Sequence, residues 1–199
     1  TKLPKMNPDS LLLNCTLDNT VINIQGENYA GGFPGGLANT AAVNCSAAAS
    51  ESLTVHATGA NAGGFAGIAT LGWAANLGKG DNKDDLLGGV VDLVVKLLSS
   101  NPGAASSLLS LAGVNPSYIL GCTVDAPLTV NGTDYVGGVT GRGDGAYIAP
   151  SSTEYLSKVS YWRNGVYDPA TVEHRNTTVS GLQRVSGHDY TGGLAGSLG

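Results

Sequence analysis

Three cysteines, at positions 15, 45 and 122, are the side chains of this sequence best suited to covalent or metal chemistry. A thiol can bridge to another thiol, ligate a metal or, packed away from water, act as a small apolar group. A Cys15–Cys45 bridge requires adjacent positions in the fold, and the odd count leaves Cys122 over. Zinc needs three or four ligands at short spacings, and His56, His174 and His188 stand at no such spacing to the cysteines, so neither a metal nor a cofactor is expected. The sequence around the three is alike: Asn14-Cys15-Thr16-Leu17, Asn44-Cys45-Ser46-Ala47 and Gly121-Cys122-Thr123-Val124, with Asn176-Thr177-Thr178-Val179 continuing the series. That recurrence predicts one inward ladder of small side chains made by Cys15, Cys45, Cys122 and Thr177.

Acid–base catalysis needs carboxylates or other titratable groups converging on one cleft. The adjacent pair Asp84-Asp85 reads instead as a helix start, and Asp81-Asn82-Lys83-Asp84-Asp85 lacks the glycine and the distal glutamate of a calcium loop. No Gly-x-Ser-x-Gly elbow or His-Glu-x-x-His motif occurs, and no Gly-Lys-Ser/Thr follows the glycine pairs, so the chain is expected not to be an enzyme. Two features suit binding. Arg142-Gly143-Asp144, between Gly141 and Gly145, is the tripeptide that integrins recognise, although three-residue matches arise often by chance in glycine-rich chains and a solvated turn between strands is the favoured reading. Tyr147, Tyr155, Tyr161, Trp162 and Tyr167 concentrate in one stretch of a chain with 6% aromatics. Such rings stack on sugars, bury at an interface or pack a long loop. The candidate ligand-binding set is Arg142, Gly143, Asp144, Tyr155, Tyr161, Trp162 and Tyr167. Sequons at Asn14, Asn44, Asn131 and Asn176 mostly coincide with the repeated turn, so no glycan is expected.

The elements that hold these residues follow from composition and repetition. Charged residues make up 13% of 199 and glycine contributes 30, while the hydrophobic share is 42%, enough for a core. The net charge of −5 removes the basic footprint of a nucleic-acid binder. No uninterrupted apolar run is long enough to insert in a membrane as a helix. Four segments end alike: Tyr29-Ala30-Gly31-Gly32-Phe33-Pro34-Gly35, Asn61-Ala62-Gly63-Gly64-Phe65-Ala66-Gly67, Tyr135-Val136-Gly137-Gly138-Val139-Thr140-Gly141 and Tyr190-Thr191-Gly192-Gly193-Leu194-Ala195-Gly196. Each lies 15 to 18 residues beyond the cysteine slot, counted to its first paired glycine, with a short alternating run between. A unit of such short strands cannot bury its apolar face alone, so successive units must stack. About five or six coils are expected from dividing the remaining length by a repeat of roughly 30 residues.

The Tyr-x-Gly-Gly-apolar-x-Gly endings resemble the GLUG repeats of large bacterial surface proteins, over about 150 residues. Pro34 in the first copy and Asn61-Ala62 in the second depart from the pattern. The resemblance implies an all-β, right-handed parallel β-helix (a β-solenoid), an extracellular cell-surface location and a role in adhesion or display. The expected partners are a host glycan or protein, or neighbouring surface-protein subunits. A pectin-lyase-like carbohydrate-active enzyme on the same scaffold is the alternative.

Residues 71–116 interrupt the repeat. Leu86-Leu87, Val90-Val91, Leu93-Val94-Val95 and Leu97-Leu98 recur at helical spacing behind the acidic start, and Asn101-Pro102-Gly103 ends the run. Ala104 to Ala112 predict a second helix, so the expectation is an inserted α-helical hairpin within a single domain spanning 1–199. Because Gly199 follows directly on a repeat ending, the chain is expected to be a fragment of a longer one.

Overall fold

The computed structural model describes residues 10–70, 116–159 and 168–199. Of these, 63% are strand, all paired in parallel. The chain makes four successive passes, and each contributes one strand to each of four sheets. The first pass comprises β1 (Ser10–Leu13), β2 (Thr16–Gly26), β3 (Ala30–Gly31) and β4 (Gly36–Ala38); the second β5 (Thr40–Val43), β6 (Ser46–Ala57), β7 (Ala62–Gly63) and β8 (Ala66–Thr70). The third comprises β9 (Ser117–Leu120), β10 (Thr123–Asn131), β11 (Asp134–Gly137) and β12 (Thr140–Asp144); the fourth β13 (Ala146–Ala149), β14 (Thr178–Ser186), β15 (Asp189–Gly192) and β16 (Ala195–Leu198). The sheet orders are β1-β5-β9-β13, β14-β10-β6-β2, β15-β11-β7-β3 and β16-β12-β8-β4, so every pass lies between its neighbours in sequence. This is compatible with an all-β parallel solenoid.

The corners explain the repeat. Asn14, Asn44 and Gly121, each just before the cysteine slot, have φ of 54°, 51° and 61°. Asn and Gly tolerate this left-handed conformation best, which lets the chain turn from one sheet to the next. The Gly-Gly pairs need close approach instead. A Cβ on Gly32, Gly64 or Gly138 would overlap the carbonyl oxygen of Gly64, Gly138 or Gly193, its counterpart one coil on. Any side chain there would force the coils apart and break the ladder.

Two cores result. Inward residues of successive coils stack in register, as Ile22, Leu53 and Leu128 do, and Val55 on Val130. The sheet of β1, β5, β9 and β13 is apolar on both faces, as its runs Leu-Leu-Leu, Ala-Ala-Val and Tyr-Ile-Leu require. Ala42 and Ile119 point into the main core; Ala41, Val43, Tyr118 and Leu120 point outward and are buried by a cover. The cover is a short helix, α1 (Thr153–Leu156), which brings Leu156 and Val159 onto that face with Val172 from the following segment. Four coils therefore form among the described residues, not five or six. Of the described residues after β13, α1 covers that sheet, and Pro169–Thr171 make a 3-10 turn.

Residues 71–115 lie outside the described residues, and with them the expected helical hairpin. The chain leaves at Thr70 and re-enters at Ser117, whose hydroxyl donates to the Thr70 carbonyl at 2.6 Å. The interruption thus occupies the corner that Asn39 (φ 49°) makes in the first coil and Gly145 (φ 64°) at the start of the fourth.

Candidate functional site

The cysteine slot faces inward. Cys45 and Cys122 are about 1% exposed and Cys15 is half-buried, and all three are free thiols. Their contacts repeat. Cys15, Cys45 and Cys122 each donate to the carbonyl two residues back, at Leu13, Val43 and Leu120, all at 3.5 Å. Cys45 and Cys122 also reach the preceding coil, at Leu12 and Ala42. Thr177 makes the corresponding bonds, to Ala149 at 2.7 Å and Ile119 at 3.4 Å. Burial, and then the neighbouring Cys45 side chain, push the Cys122 thiol far above its ordinary value. A hydrogen bond from the Cys122 side chain lowers Cys45, against the effect of burial. The two form one buried pair that yields its first proton more readily than its second.

The outward face carries a different constellation, built at the tyrosine of each repeat. Tyr29, Tyr135 and Tyr190 have φ of 60°, 55° and 51°, and Asn61 fills the slot in the second coil with φ 66°. A left-handed backbone costs a bulky residue roughly 1–2 kcal/mol, and it turns these rings out of the coil. Tyr135 and Tyr190, on adjacent coils, stack at 4.9 Å with planes 5° apart. The Arg142 guanidinium lies 5.0 Å from the Tyr135 ring centroid. Its pKa is raised, first by its bond to Asp144 and further by the field of Tyr135 and Tyr29. Tyr190 is 61% exposed and Tyr29 45%.

Arg142-Gly143-Asp144 is accordingly not a turn. The three residues end β12, paired on one side with Ile68, Ala69 and Thr70, while Arg142 and Gly143 pair on the other with Ser197 and Leu198. Arg142 and Asp144 form an ion pair with each other, both about one-third exposed. Of the flanking glycines, Gly141 serves close packing, since a Cβ there would strike the Tyr135 carbonyl, and Gly145 (φ 64°) turns the corner into β13. Tyr155 lies elsewhere, on α1, with its ring 6.4 Å from Tyr147 and 4.7 Å from the Lys158 ammonium. Tyr147 stacks in turn on buried Tyr118 at 5.2 Å, so this group packs the cover onto its sheet. Tyr161, Trp162 and Tyr167 lie outside the described residues.

Sequence reasoning missed the Tyr29, Tyr135 and Tyr190 surface. Their repeated slot was visible, but the left-handed backbone that turns the rings outward was not. It also missed Asp134, His188 and Asp189, whose ligand atoms lie within 4.8 Å of one another because Asp134 and Asp189 are in register on adjacent coils. Imidazole and carboxylate donors suit a divalent cation, but His188 and Asp189 are largely solvated. A third feature is an open groove of about 490 Å³ where the β2-β6-β10-β14 sheet bends at register shifts. Asp18 and Asp125 line it with Ala48 between them, and Ser180 donates to Asp125. A scan against protein-family models, a search of curated proteins and a search of solved structures each found no match.

Proposed function

We propose that this chain is a non-catalytic structural and adhesive segment of a bacterial cell-surface or secreted protein of the GLUG-repeat type. In this reading the passes form a right-handed parallel β-helix, and the hairpin of 71–116 is grafted on one corner. The outward tyrosine face with Arg142 meets a host glycan or protein. The observation carrying this is the Tyr135–Tyr190 stack with the Arg142 guanidinium over it. These rings lie outside the apolar core, yet their backbone is strained to present them, and strain of that kind collects at functional positions. Parallel rings with a cation beside them suit the apolar face of a sugar and its hydroxyls, or an aromatic-rich protein surface. A glycan-array and cell-binding screen with the intact chain tests it. Binding should fall tenfold or more, equal to about 1.4 kcal/mol, in Tyr190→Ala and Arg142→Ala; binding unchanged in both variants would refute the reading. Integrin recognition has its own control, since Asp144→Glu should abolish integrin-dependent attachment.

The groove favours one second reading, a carbohydrate-active enzyme. Asp18 and Asp125 stand two strand spacings apart, roughly 9–10 Å, at the upper end of the separation used by inverting glycosidases. Polysaccharide turnover by the purified chain, lost in Asp125→Asn, would put this reading first.

A further inference from the structure

The tyrosine row breaks once, inside the stack. Tyr29, Asn61, Tyr135 and Tyr190 occupy one register position on successive coils, all with a left-handed backbone. Tyr135 and Tyr190, one coil apart, stack at 4.9 Å, so a single coil spacing is a stacking distance. Tyr29 and Tyr135 stand two spacings apart, roughly 9–10 Å, with the shorter Asn61 side chain between them. One further ring placed there would lie about 4.8 Å from each, within the roughly 4.5–7 Å of stacked rings. The position already takes a flat group: the Arg142 guanidinium lies over the Tyr135 ring at 5.0 Å, and Tyr190 covers the other face. Asn61 carries an independent sign of a ligand. It is 6% exposed, and its side-chain oxygen, closed to water, accepts no hydrogen bond. A buried acceptor left without a donor is destabilising and calls for a partner.

We infer that the break at Asn61 is a binding subsite for one neutral pyranose ring of a glycan. The inference rests on the adhesive reading and names the ligand of its surface. A pyranose brings what the break lacks. Its two faces meet Tyr29 and Tyr135, and one of its hydroxyls donates to the Asn61 oxygen. The ring takes the guanidinium's place over Tyr135, and Arg142 moves to the rim to bond further hydroxyls, still paired with Asp144. Arg142 and Asp144 neutralise each other and the chain carries a net −5, so an acidic sugar finds no unpaired cation here. An aromatic side chain of a protein would supply the faces without the array of hydroxyls. All the residues of the subsite belong to the first three coils.

Saturation-transfer NMR and calorimetry on the intact chain test it, with glucose, galactose, mannose and N-acetylglucosamine beside glucuronic and N-acetylneuraminic acids. At least one neutral sugar should bind, and Asn61→Tyr should abolish that binding by closing the break. The variant should keep the wild-type circular dichroism, because tyrosine already holds this backbone on three coils. Asn61→Gly keeps the left-handed backbone and the break but removes the oxygen, and should weaken binding about tenfold. Tyr29→Ala should weaken it as much. Failure of every neutral sugar to bind would overturn the inference. So would binding unchanged in Asn61→Tyr, or a preference of about tenfold for the acidic sugars. Attachment to cells that survives their enzymatic deglycosylation would assign the break to a protein instead. Loss of binding in Tyr190→Ala with wild-type binding in both Asn61 variants would sink the subsite and leave the wider adhesive reading standing.

Discussion

At the scale of single residues, the cysteine ladder shows how one slot serves three side chains. Thiol and threonine hydroxyl both reach the carbonyl two residues back or its counterpart on the next coil, so Thr177 replaces cysteine without leaving a polar atom unpaired. Because Cys45 and Cys122 are closed off from solvent, an alkylating reagent, which needs access to the sulfur, should leave both unlabelled in the native protein. Half-buried Cys15 should react slowly, and all three should react after denaturation; mass spectrometry of the labelled chain reads the order. Prompt native labelling of Cys122 would show that the slot faces solvent. Tyr118 gives a prediction in pH. Burial, with a smaller contribution from Tyr147, raises its pKa from 10.0 to about 12. Between those values the unfolded chain has lost the proton that the folded one keeps, so stability is full below pH 10 and falls as pH rises toward 12. The loss should approach 2–3 kcal/mol, on the order of 1.4 kcal/mol per pKa unit. Urea melts of Tyr118→Phe should lack this alkaline slope.

At the scale of elements, glycine in this chain marks contact between coils more than flexibility. Gly138 and Gly193 occupy equivalent positions in successive repeats, but only Gly138 has a coil stacked on it. Gly138→Ala must displace the Gly193 carbonyl and should cost about 3 kcal/mol or more, in the range of overpacked sites. Gly193→Ala should be neutral or slightly stabilising through the unfolded chain, by up to about 1 kcal/mol. Thermal melts at low concentration compare the two, and equal losses would contradict the stacking. Asn44 shows a second device. Its backbone turns the corner while its side-chain amide donates to the Glu173 carbonyl at 2.8 Å, tying the cover segment to the second coil.

At the scale of the molecule, stability should be graded along the stack, because each coil contacts only its neighbours. Among the described residues, the second and third coils have a coil on either side, and the first and fourth have one neighbouring coil each. Native-state hydrogen exchange should find the amides of β6 and β10 most protected and those of β14, β15 and β16 opening first. Uniform protection across all four coils would mean that the stack opens only as a unit.

The sequence by itself determined the β class, the stacking and the inward direction of the cysteine slot. All three follow from local rules that repeat: a turn residue, a small inward residue, a short alternating run and a glycine pair at nearly constant spacing. Repetition converts a local pattern into a fold, because equal spacing places equivalent residues one above another. What lay between repeats was not legible. Length alone does not distinguish a coil from a cover: the described residues make four coils, and only the two-sided apolar sheet shows why residues after β13 form α1. The tripeptide at 142–144 looked like a turn because glycine permits one; the neighbouring strands β8 and β16 decided otherwise by pairing with it. Nor does the chain advertise that Asp134 meets His188 and Asp189, or that Arg142 lies over Tyr135. Those contacts join residues on different coils or different sheets, and their distances are set by register, which only the folded stack fixes.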